Sequence, residues 1–413
     1  MTTTPLFDRM PQGHPRSLAA AHARIAAVRP AAYARTRNAI DGAVTGLSPY
    51  LTHGFVTLSD VLGAVAARHR LDMQHKFVFE LGWRAYFRHV WQHRGNAILQ
   101  SLHQGPLPDS AYAPALPDDI RQARTGVPAI DTAVRTLYAT GTLHNHARMW
   151  LASYCVHLRK VHWRVGADWL HGHLLDGDLA SNHLSWQWVA GTGSHKPYLF
   201  NADNVARYAP PPWHSPGSCI DTGYDALDRI ARTPARLGAG AAPVAVDAGP
   251  GVAEPRCLAE PPSALGFTAP DAGSVQGRDV WLVHPWSLGA LPAPLPADTL
   301  VLGLCLSDFH RAWPWSESRW HFVGTRMTAV APVRWHGDAA AVVAALAGAR
   351  RVRAVDEPHL SPWLARLAQT QPAPQLFPAV DRRCDSFSQW WTRCTRGLQT
   401  TEDLLAVSEV PAW

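Results

Sequence analysis

The spacing of apolar residues divides the chain into a helical first half and a second half of another kind. Up to about residue 208, apolar positions recur with the period of an α-helix. Helices are predicted over 17–70, 75–94 and 125–141, and from about Leu143 and Val165 onward. Pro30 interrupts the first of these, whereas Pro128 and Gly141 stand where a helix begins and ends. The first half is therefore predicted to be mostly helical.

In the second half, short apolar runs alternate with segments of helical length. The runs are 280–284, 300–306, 333–337 and 352–356, and the helical segments are 315–330, 338–349 and 359–369. Such alternation is typical of a parallel sheet with crossover helices. No GxGxxG or Walker motif follows any of these strands, so no standard nucleotide loop is predicted. A last helix over 386–398 is expected to pack back through Trp390 and Trp391.

The composition between the two halves shifts to Pro, Gly and Ala, which is typical of a linker. A chain of 413 residues also exceeds what one hydrophobic core usually supports. We therefore expect a helical domain at 1–208, an interdomain linker at 209–278 and a domain at 279–413. The expected fold class is a mostly α-helical domain followed by a smaller α/β Rossmann-like domain with a parallel sheet.

Composition narrows the class of protein. Apolar residues make up 47% of the chain, and no window is long and apolar enough to span a membrane. The first residues lack the pattern of a signal peptide, so a cytoplasmic location is expected. The six cysteines are scattered without a CxxC pair, which argues against a disulfide framework or a zinc site and favours a reducing compartment.

The net charge of +6 is compatible with a polyanionic partner, and only three of the basic residues are lysines. Arginine suits bidentate phosphate contacts, although an Arg- and Ala-rich genome would give the same balance. The histidine pairs His144/His146 and His171/His173 are spaced i, i+2 and point apart on a helix. No metal site is predicted.

The stretch 141–193 carries the densest candidate chemistry. It is rich in Trp and His, and it places Asp176 and Asp178 in a Gly-containing turn. Arg148 and Asn182 also interrupt its apolar positions, and buried polar groups cost free energy unless each finds a partner. Pairing of Arg148 with Asp176 would satisfy both groups. The stretch indicates a pocket wall for a large, planar ligand with polar edges.

Two earlier segments add possible ligand contacts. Glu80, Trp83 and Arg84 fall on one helix face, where they could hydrogen-bond and stack on a nucleobase. The alternative is an intrahelical Glu–Arg pair beside a core tryptophan. The loop 42–60 is rich in small and hydroxyl residues, and such loops can donate hydrogen bonds to phosphate.

Several motifs together resemble the FAD-binding helical domain of DNA photolyases and cryptochromes. They are GLSPYLTHG, FELGWRAYFRH, TGVPAIDTAVRTL, LHNHARM and LLDGDLASNHLSWQWVAGTG, in the family's order and spacing between Tyr33 and Tyr208. The C-terminal part is similar to the family's α/β antenna domain through WLVHP, LCLSDFH, RWHFVG, VRWHGD and RAVDEPH. That domain comes first in the familiar arrangement, so the chain resembles a circularly permuted member.

The resemblance implies FAD as cofactor and assigns residues to it. The implied FAD-binding residues are Tyr33, Thr45, Gly46, Leu47, Ser48, Asn145, Arg148, Asp176, Asp178 and Asn182. Among them, Asn182 would face the flavin N5 atom and Arg148 would pair with Asp176. Trp186 and Trp163 match the first two stations of the chain that photoreduces the flavin. With Glu80 they form the expected catalytic group.

The resemblance also implies a pocket for a flipped cyclobutane pyrimidine dimer in DNA. Its residues would be Arg37, Glu80, Trp83, Arg84, Asn145, Met149 and Trp188, with Arg37 and Arg84 facing the DNA backbone. The expected function is FAD-dependent, blue-light-driven repair of these dimers. The alternatives are a cryptochrome-like photoreceptor that signals through a protein partner, or a flavoprotein of this fold without repair.

Some positions depart from the family pattern. Ile120 stands where the third, surface tryptophan is usual, and the candidates to replace it are Trp150, Tyr154 and Trp169. His146 and Phe200 stand where DNA-binding members usually have arginine, which predicts fewer phosphate contacts. HPWSLGA replaces the usual Arg-rich segment after the first strand of the α/β domain, so the antenna chromophore is not identified.

Overall fold

A computed structural model describes residues 14–235, 250–292 and 294–408. The first group of helices comprises α1 (Leu18–Ala26), α2 (Pro30–Thr36), α3 (Ser48–Thr52), α4 (Leu58–Ala66) and α5 (Lys76–Arg94). The single helical region predicted over 17–70 is thus four helices with an irregular loop between α2 and α3. Pro30 begins α2, and a capping box of Thr57 and Asp60 begins α4. Caps and prolines thus set helix ends that the spacing of apolar residues alone does not indicate.

A second group of helices surrounds the stretch 141–193. It comprises α6 (Asp118–Arg121), α7 (Pro128–Thr140), α8 (Asn145–Ser153), α9 (Trp163–His173), α10 (Leu179–Ala190), α11 (Ala202–Tyr208) and α12 (Tyr224–Ala231). Gly141 ends α7 with φ of 66°, in the left-handed region that glycine adopts readily, as its position predicted. The Asp178 carboxylate begins α10 by accepting a hydrogen bond from the Ser181 amide.

The C-terminal part contains a five-stranded parallel sheet. The strands in the described residues are β1 (Cys257–Leu258), β2 (Asp279–Val283), β3 (Leu300–Leu306), β4 (Trp315–Ser316), β5 (Val333–Gly337), β6 (Arg351–Val355) and β7 (Gln369–Gln371). The sheet runs in the order β5-β3-β2-β6-β7, while β1 and β4 form a short antiparallel pair. The crossover helices are α13 (Ser307–Ala312), α14 (Glu317–Val330), α15 (Ala339–Leu346) and α16 (Ser361–Leu367). The expected fold class is confirmed.

Two final helices return to the beginning of the chain. Helix α17 (Phe387–Cys394) packs on α5, and α18 (Thr401–Ala406) packs on α4. Trp390 and Trp391 are buried, as the pattern predicted. The C-terminal part therefore contacts the first helices through both its sheet and its last helices.

The apolar residues form two cores, and these divide the chain differently from the predicted domains. One core combines α1–α5 with the parallel sheet, and in it the rings of Phe55 and Phe322 stack at 5.2 Å. The other contains buried residues between 116 and 227. The predicted linker contributes to this second core through Leu227 of α12, while its residues 236–249 lie outside the described part. The first helices therefore share a core with the sheet, and Leu175, Leu179, Ala180 and Leu184 of the stretch 141–193 join that same core.

Among the helices that the structure describes, none combines the length and the apolarity needed to cross a bilayer.

Candidate active site

A cavity of about 200 Å³ opens between α5, α8, α9 and α10. It is lined by Ser48, Glu80, Trp83, Arg84, Phe87, Asn145, Arg148, Met149, Ala152, Leu170, Asp176, Ser181, Asn182, Ser185, Trp186 and Val189. Ten of these were predicted as site residues from the sequence. Five helices, α3, α5, α8, α9 and α10, and the turn at Asp176 therefore bring together residues that are up to 141 positions apart in the chain, from Ser48 to Val189.

The predicted pair of Arg148 and Asp176 forms one wall of the cavity. The Arg148 Nη2 atom lies 2.9 Å from each carboxylate oxygen of Asp176, and its Nε donates to the Leu143 carbonyl oxygen. Burial of Asp176 opposes ionisation, but Arg148, Ser48 and other neighbours outweigh it and lower the pKa of this carboxyl. The wall thus carries a fixed carboxylate and a guanidinium oriented by two acceptors.

Asp178 lies outside the cavity lining. Its carboxylate is buried, 3.1 Å from the Arg88 Nη2 atom, and it also caps α10. Burial opposes its ionisation, but Arg88 and His359 outweigh it and lower its pKa. The two acids of the turn therefore point to different partners: Asp176 to the cavity wall and Asp178 to the interior behind it.

Ser48 is the member of the predicted phosphate loop that lines the cavity. The Arg84 guanidinium donates to the hydroxyl oxygens of Ser48 at 2.6 Å and Thr52 at 3.0 Å, so it points into the site. Arg84 was predicted to face the DNA backbone, and the structure places its guanidinium against these two hydroxyl groups.

The other predicted loop residues stand behind Ser48. Leu47 is buried in the core, Thr45 accepts a hydrogen bond from the Leu47 amide, and Gly46 accepts one from His14. Tyr33 packs edge-on against Phe77, and burial raises the pKa of its hydroxyl. These contacts order the loop, but among the predicted loop residues they bring only Ser48 to the cavity.

Helix α10 supplies the polar and aromatic wall. The Asn182 amide nitrogen donates to the Ala167 carbonyl oxygen of α9 at 2.8 Å, which fixes the side chain at the cavity. Trp186, one turn further along α10, also lines the cavity and is buried. Trp163 is buried in the neighbouring helix, outside the lining, and its indole nitrogen donates to the Ser101 hydroxyl oxygen.

The predicted substrate residues line the opposite side. Glu80 meets Arg37 at 3.3 Å, and 42% of the Glu80 side chain is exposed. Trp83 stacks on Phe387 of α17 with ring centroids 4.2 Å apart, so the C-terminal part fixes the tryptophan from behind. Trp83 and Glu80 thereby share a face, as their spacing predicted.

Asn145 and Met149 face this group from α8, and the Asn145 amide nitrogen lies 3.5 Å from the Met149 sulfur. Trp188 is separate from the cavity. Its side chain is 43% exposed on the far part of α10, beside Tyr198 at 5.6 Å. Five of the seven predicted substrate residues therefore line the cavity: Glu80, Trp83, Arg84, Asn145 and Met149. Arg37 and Trp188 lie outside the lining.

The positions that depart from the family pattern are mainly interior. Ile120 and Phe200 are buried, and Phe200 packs against Trp150 with centroids 6.1 Å apart. A buried side chain makes no phosphate contact, so Phe200 serves the second core. His146 is partly buried and stacks on Tyr208, and burial lowers its pKa. Of the candidates to replace the third tryptophan, Trp150 and Tyr154 are buried and Trp169 is half-buried.

Sequence reasoning missed the residues behind the acidic turn. Arg88 bridges Asp178 and Glu357, and Glu357 holds the buried His359. Arg88 falls one turn after Arg84 on α5, so helical spacing could have added it to that face. Glu357 and His359 stand in the motif RAVDEPH, but the sequence carried no signal that this motif reaches the turn.

A larger open depression of about 630 Å³ lies elsewhere, beside Arg121, Arg124 and residues 251–254. Its Arg121 is already paired with Asp118 and Glu254. None of the predicted site residues lies there. The smaller cavity is therefore the candidate active site, although it is not the larger space.

Comparison with known proteins agrees with the cavity's position. Residues 77–210 match the model of the FAD binding domain of DNA photolyase. The chain is 33% identical over 182 residues to a deoxyribodipyrimidine photo-lyase of a Synechococcus species, covering 40% of this chain and 37% of that protein. It is 35% identical over 171 residues to a chloroplastic/mitochondrial cryptochrome DASH of Oryza sativa subsp. japonica, covering 39% of this chain and 29% of that one. Residues 77–210 are therefore similar to the FAD binding domain of DNA photolyase, and the relatives that match are photolyases and cryptochromes.

The match is partial in length. The chain spans about a third of the length of these curated relatives. A solved Synechocystis cryptochrome is 28% identical with a TM-score of 0.42, covering 50% of this chain and 48% of that one. The activity, substrate and partners of the whole relatives are therefore matters for proposal.

FAD is the cofactor of this family's helical domain, and the residues of the cavity fit it. Arg84, Arg148, Asn182 and Ser48 offer hydrogen-bond donors around the aromatic wall of Trp186. Polar or charged residues make up nine of the sixteen lining residues, so the cavity suits the polar edges of a planar cofactor as well as its flat faces. At about 200 Å³, the cavity is smaller than the roughly 300–1,000 Å³ of common ligand pockets, so it can enclose only part of a cofactor as large as FAD.

Proposed function

We propose that this protein is a light-driven photolyase that repairs cyclobutane pyrimidine dimers in DNA. The observation that carries the proposal is that one cavity joins the two predicted sets of residues. Glu80, Trp83 and Met149, predicted for the dimer, share it with Asp176 and Asn182, predicted for FAD. Electron transfer from a cofactor to a lesion requires the two to share a site, and this lining supports that requirement.

On the substrate side, the chain's own groups would bind an extruded dimer. A base inside a duplex is out of reach, so the lesion is taken out of the stack into a pocket with aromatic and apolar walls. Trp83 supplies an aromatic wall and Met149 an apolar one. Glu80, exposed and held only by Arg37, can exchange that partner for the edge of a pyrimidine. Asn145 adds an amide on the same side.

On the cofactor side, Arg148 and Arg84 place positive charge beside the ring system, and Asn182 holds its edge. Bound FAD, when reduced and excited by light, supplies the electron that opens the cyclobutane ring. Trp186 and Trp163 would restore the reduced cofactor by passing electrons inward. The buried pair of Arg148 with Asp176 keeps this environment fixed before any ligand arrives.

A blue-light photoreceptor of cryptochrome type is the second candidate. Burial of Phe200 and the stacking of His146 on Tyr208 remove two usual phosphate contacts, which favours a protein that binds DNA weakly. We also propose circular permutation, since the helices of the family domain precede the parallel sheet in this chain. Neither point alters the cavity, which both candidate functions would use.

The experiment illuminates a dimer-containing oligothymidylate with reduced protein and follows recovery of absorbance near the ultraviolet base band. Repair predicts recovery in blue light, none in the dark, and slower recovery with Glu80→Gln. A Asp228→Asn variant is the matched control, since Asp228 is an exposed carboxylate of α12 far from the cavity lining. No recovery in a sample whose FAD is still photoreduced would reject repair and leave the photoreceptor.

A further inference from the structure

The parallel sheet has a point where its strand order reverses. The chain leaves β2 for β3 on one side and later returns with β6 on the other side of β2. In open α/β sheets, ligands bind in the crevice outside the carboxyl ends of the strands at such a point. The ends of β2 and β6 therefore mark the place where a second ligand would be expected.

Protein side chains fill this crevice. Trp286, just after β2, stacks on His359, just after β6, with centroids 4.3 Å apart at 12°. Glu357 accepts a hydrogen bond from the Arg88 guanidinium of α5 at 2.7 Å. Trp91, one turn further along α5, meets the His359 ring edge-on at 4.8 Å. The occupant of the crevice is thus a helix of the cofactor-binding part of the chain.

These contacts continue to the acidic turn. A second nitrogen of Arg88 lies 3.1 Å from the Asp178 carboxylate, and the Leu179 amide donates to the His359 Nε2 atom at 3.2 Å. The other ring nitrogen of His359 lies 2.5 Å from Glu357. Glu357 is therefore joined to the turn by two routes, one through Arg88 and one through His359.

Arg319 of α14 holds the same turn from another direction. Its side chain is fully buried, it donates to the carbonyl oxygens of His171 and Gly177, and it lies over the Trp315 ring at 4.0 Å. A Cβ atom on Gly177 would lie 2.5 Å from the Arg319 Nη1 atom, so only glycine permits this approach. Gly177 stands between the two acids, and Arg319 thereby fixes the backbone that carries Asp176.

Burial of a guanidinium is costly unless its charge and donors find partners. Burial lowers the pKa of Arg319 to about 9, and Asp176 and Asp178 oppose this change. The arrangement concentrates costly buried charges around three residues of one turn. Packing of the two parts of the chain alone does not require them, because apolar contacts such as Phe55 on Phe322 already join these parts.

We propose that Arg319, Glu357 and His359 are positioning residues of the cofactor site: the α/β part uses its ligand crevice and α14 to hold the acidic turn, and so fixes where Asp176 stands. The inference rests on the proposed placement of Asp176 beside FAD. It gives the α/β part a role in the environment of the flavin. This role does not depend on a second chromophore bound in the crevice.

The test compares Arg319→Met and Arg319→Lys with Arg326→Met in the holoprotein. Arg326 lies two turns further along α14 and also donates to two carbonyl oxygens, those of Leu288 and Gly289 at 2.9 and 3.0 Å. We expect FAD release after dilution, followed by flavin fluorescence, to be roughly ten to a hundred times faster in Arg319→Met, since one to two lost hydrogen bonds of a charged group correspond to that range. The visible flavin spectrum should shift as well. Arg319→Lys should recover part of both changes, and Arg326→Met should change only thermal stability.

Two further variants distinguish failure of the positioning role from failure of the proposed cofactor placement. Glu357→Gln keeps the shape of the side chain and serves if Arg319→Met does not fold; it should also speed FAD release and shift the spectrum. Asp176→Asn tests the proposed cofactor placement itself. If Asp176→Asn alters both signals while Arg319→Lys and Glu357→Gln match Arg326→Met, the positioning role is wrong and the site stands. If Asp176→Asn leaves both signals unchanged, the placement of Asp176 fails, and the inference with it.

Discussion

The two sides of the cavity hold their charges in different ways. On the cofactor side, the Asp176 side chain is 4% exposed and both of its oxygens lie 2.9 Å from Arg148. On the substrate side, the Glu80 side chain is 42% exposed and meets Arg37 through a single contact of 3.3 Å. Trp188, further out, is also exposed. One side is complete in the protein alone, whereas the other keeps groups free for a partner.

This difference follows from the dielectric environment. A buried charge without a partner costs several kcal/mol, so the charges behind the cavity are paired in the folded protein. An exposed pair contributes only about 0–1 kcal/mol and can be exchanged for a ligand at little cost. The contrast teaches that the charges of the proposed cofactor side are fixed by the fold, while those of the proposed substrate side stay in exchangeable surface contacts.

The largest effect is expected from removing a buried carboxylate. Asp178→Ala would remove one of the two carboxylates that Arg88 bridges, leaving it with Glu357, and would also remove the cap of α10. Loss of one partner of a buried pair costs about 3–5 kcal/mol of unfolding free energy. Urea unfolding measures it, and Asp228→Ala, which removes an exposed partner of Arg232, is the control with an expected loss below about 1 kcal/mol. Equal losses in the two variants would contradict the contrast.

A somewhat smaller effect should appear as pH dependence. Burial opposes ionisation of Glu357, but Arg88 and His359 outweigh it and lower its pKa from 4.5 to about 2. A lowered folded-state pKa stabilises the protein fully above about pH 4.5, and this contribution is lost as pH falls from 4.5 toward 2, on the order of 3 kcal/mol. Urea unfolding at pH 6, 4 and 3 should show a steeper loss for wild type than for Glu357→Gln. Parallel curves would mean that protonation of Glu357 does not contribute to the loss of stability at low pH.

On the exposed side, Trp188→Ala tests DNA recognition. Stacking of a base on an aromatic side chain contributes about 1–3 kcal/mol, so binding to dimer-containing single strands should weaken roughly ten- to hundredfold. Thermal stability should change little, because this side chain is 43% exposed. Titrations at two salt concentrations measure both the affinity and its salt dependence. The salt dependence should be shallow because the buried Phe200 makes no phosphate contact. Absence of any preference for the lesion in wild type would reject the repair proposal.

The smallest effect is expected for the pair at the cavity mouth. Arg37→Ala should change the free energy of unfolding by less than about 1 kcal/mol, because Glu80 is exposed and stays hydrated without its partner. A double-mutant cycle with Glu80→Ala measures the coupling between the two side chains. A coupling as large as that of the buried pair would show that the two sides of the cavity do not differ in the way described.

Local sequence signals predicted the elements well where caps and prolines act. Helix α7 begins at Pro128 and is followed by Gly141, and the strands β2 and β3 lie on the predicted apolar runs. Within 17–70 the break at Pro30 was predicted, but the other ends of the four short helices were not, because they depend on side-chain caps such as that of Thr57, which accepts from the Asp60 amide. A period of 3.6 indicates a helix but does not fix where it ends.

Local signals in the sequence were enough to predict the fold class, the resemblance to photolyases and cryptochromes and most of the cavity lining, because apolar period, turn residues and local motifs act over short distances along the chain. They did not determine which helices share a core with the sheet, nor that Arg319 and His359 reach the acidic turn. Arg319 lies 142 positions from the carbonyl oxygen of Gly177 that it holds. Such contacts exist only once the two parts have packed, because buried polar groups take their partners from whatever the packing brings within hydrogen-bond distance. The tertiary structure alone therefore decided how the turn that carries Asp176 is held.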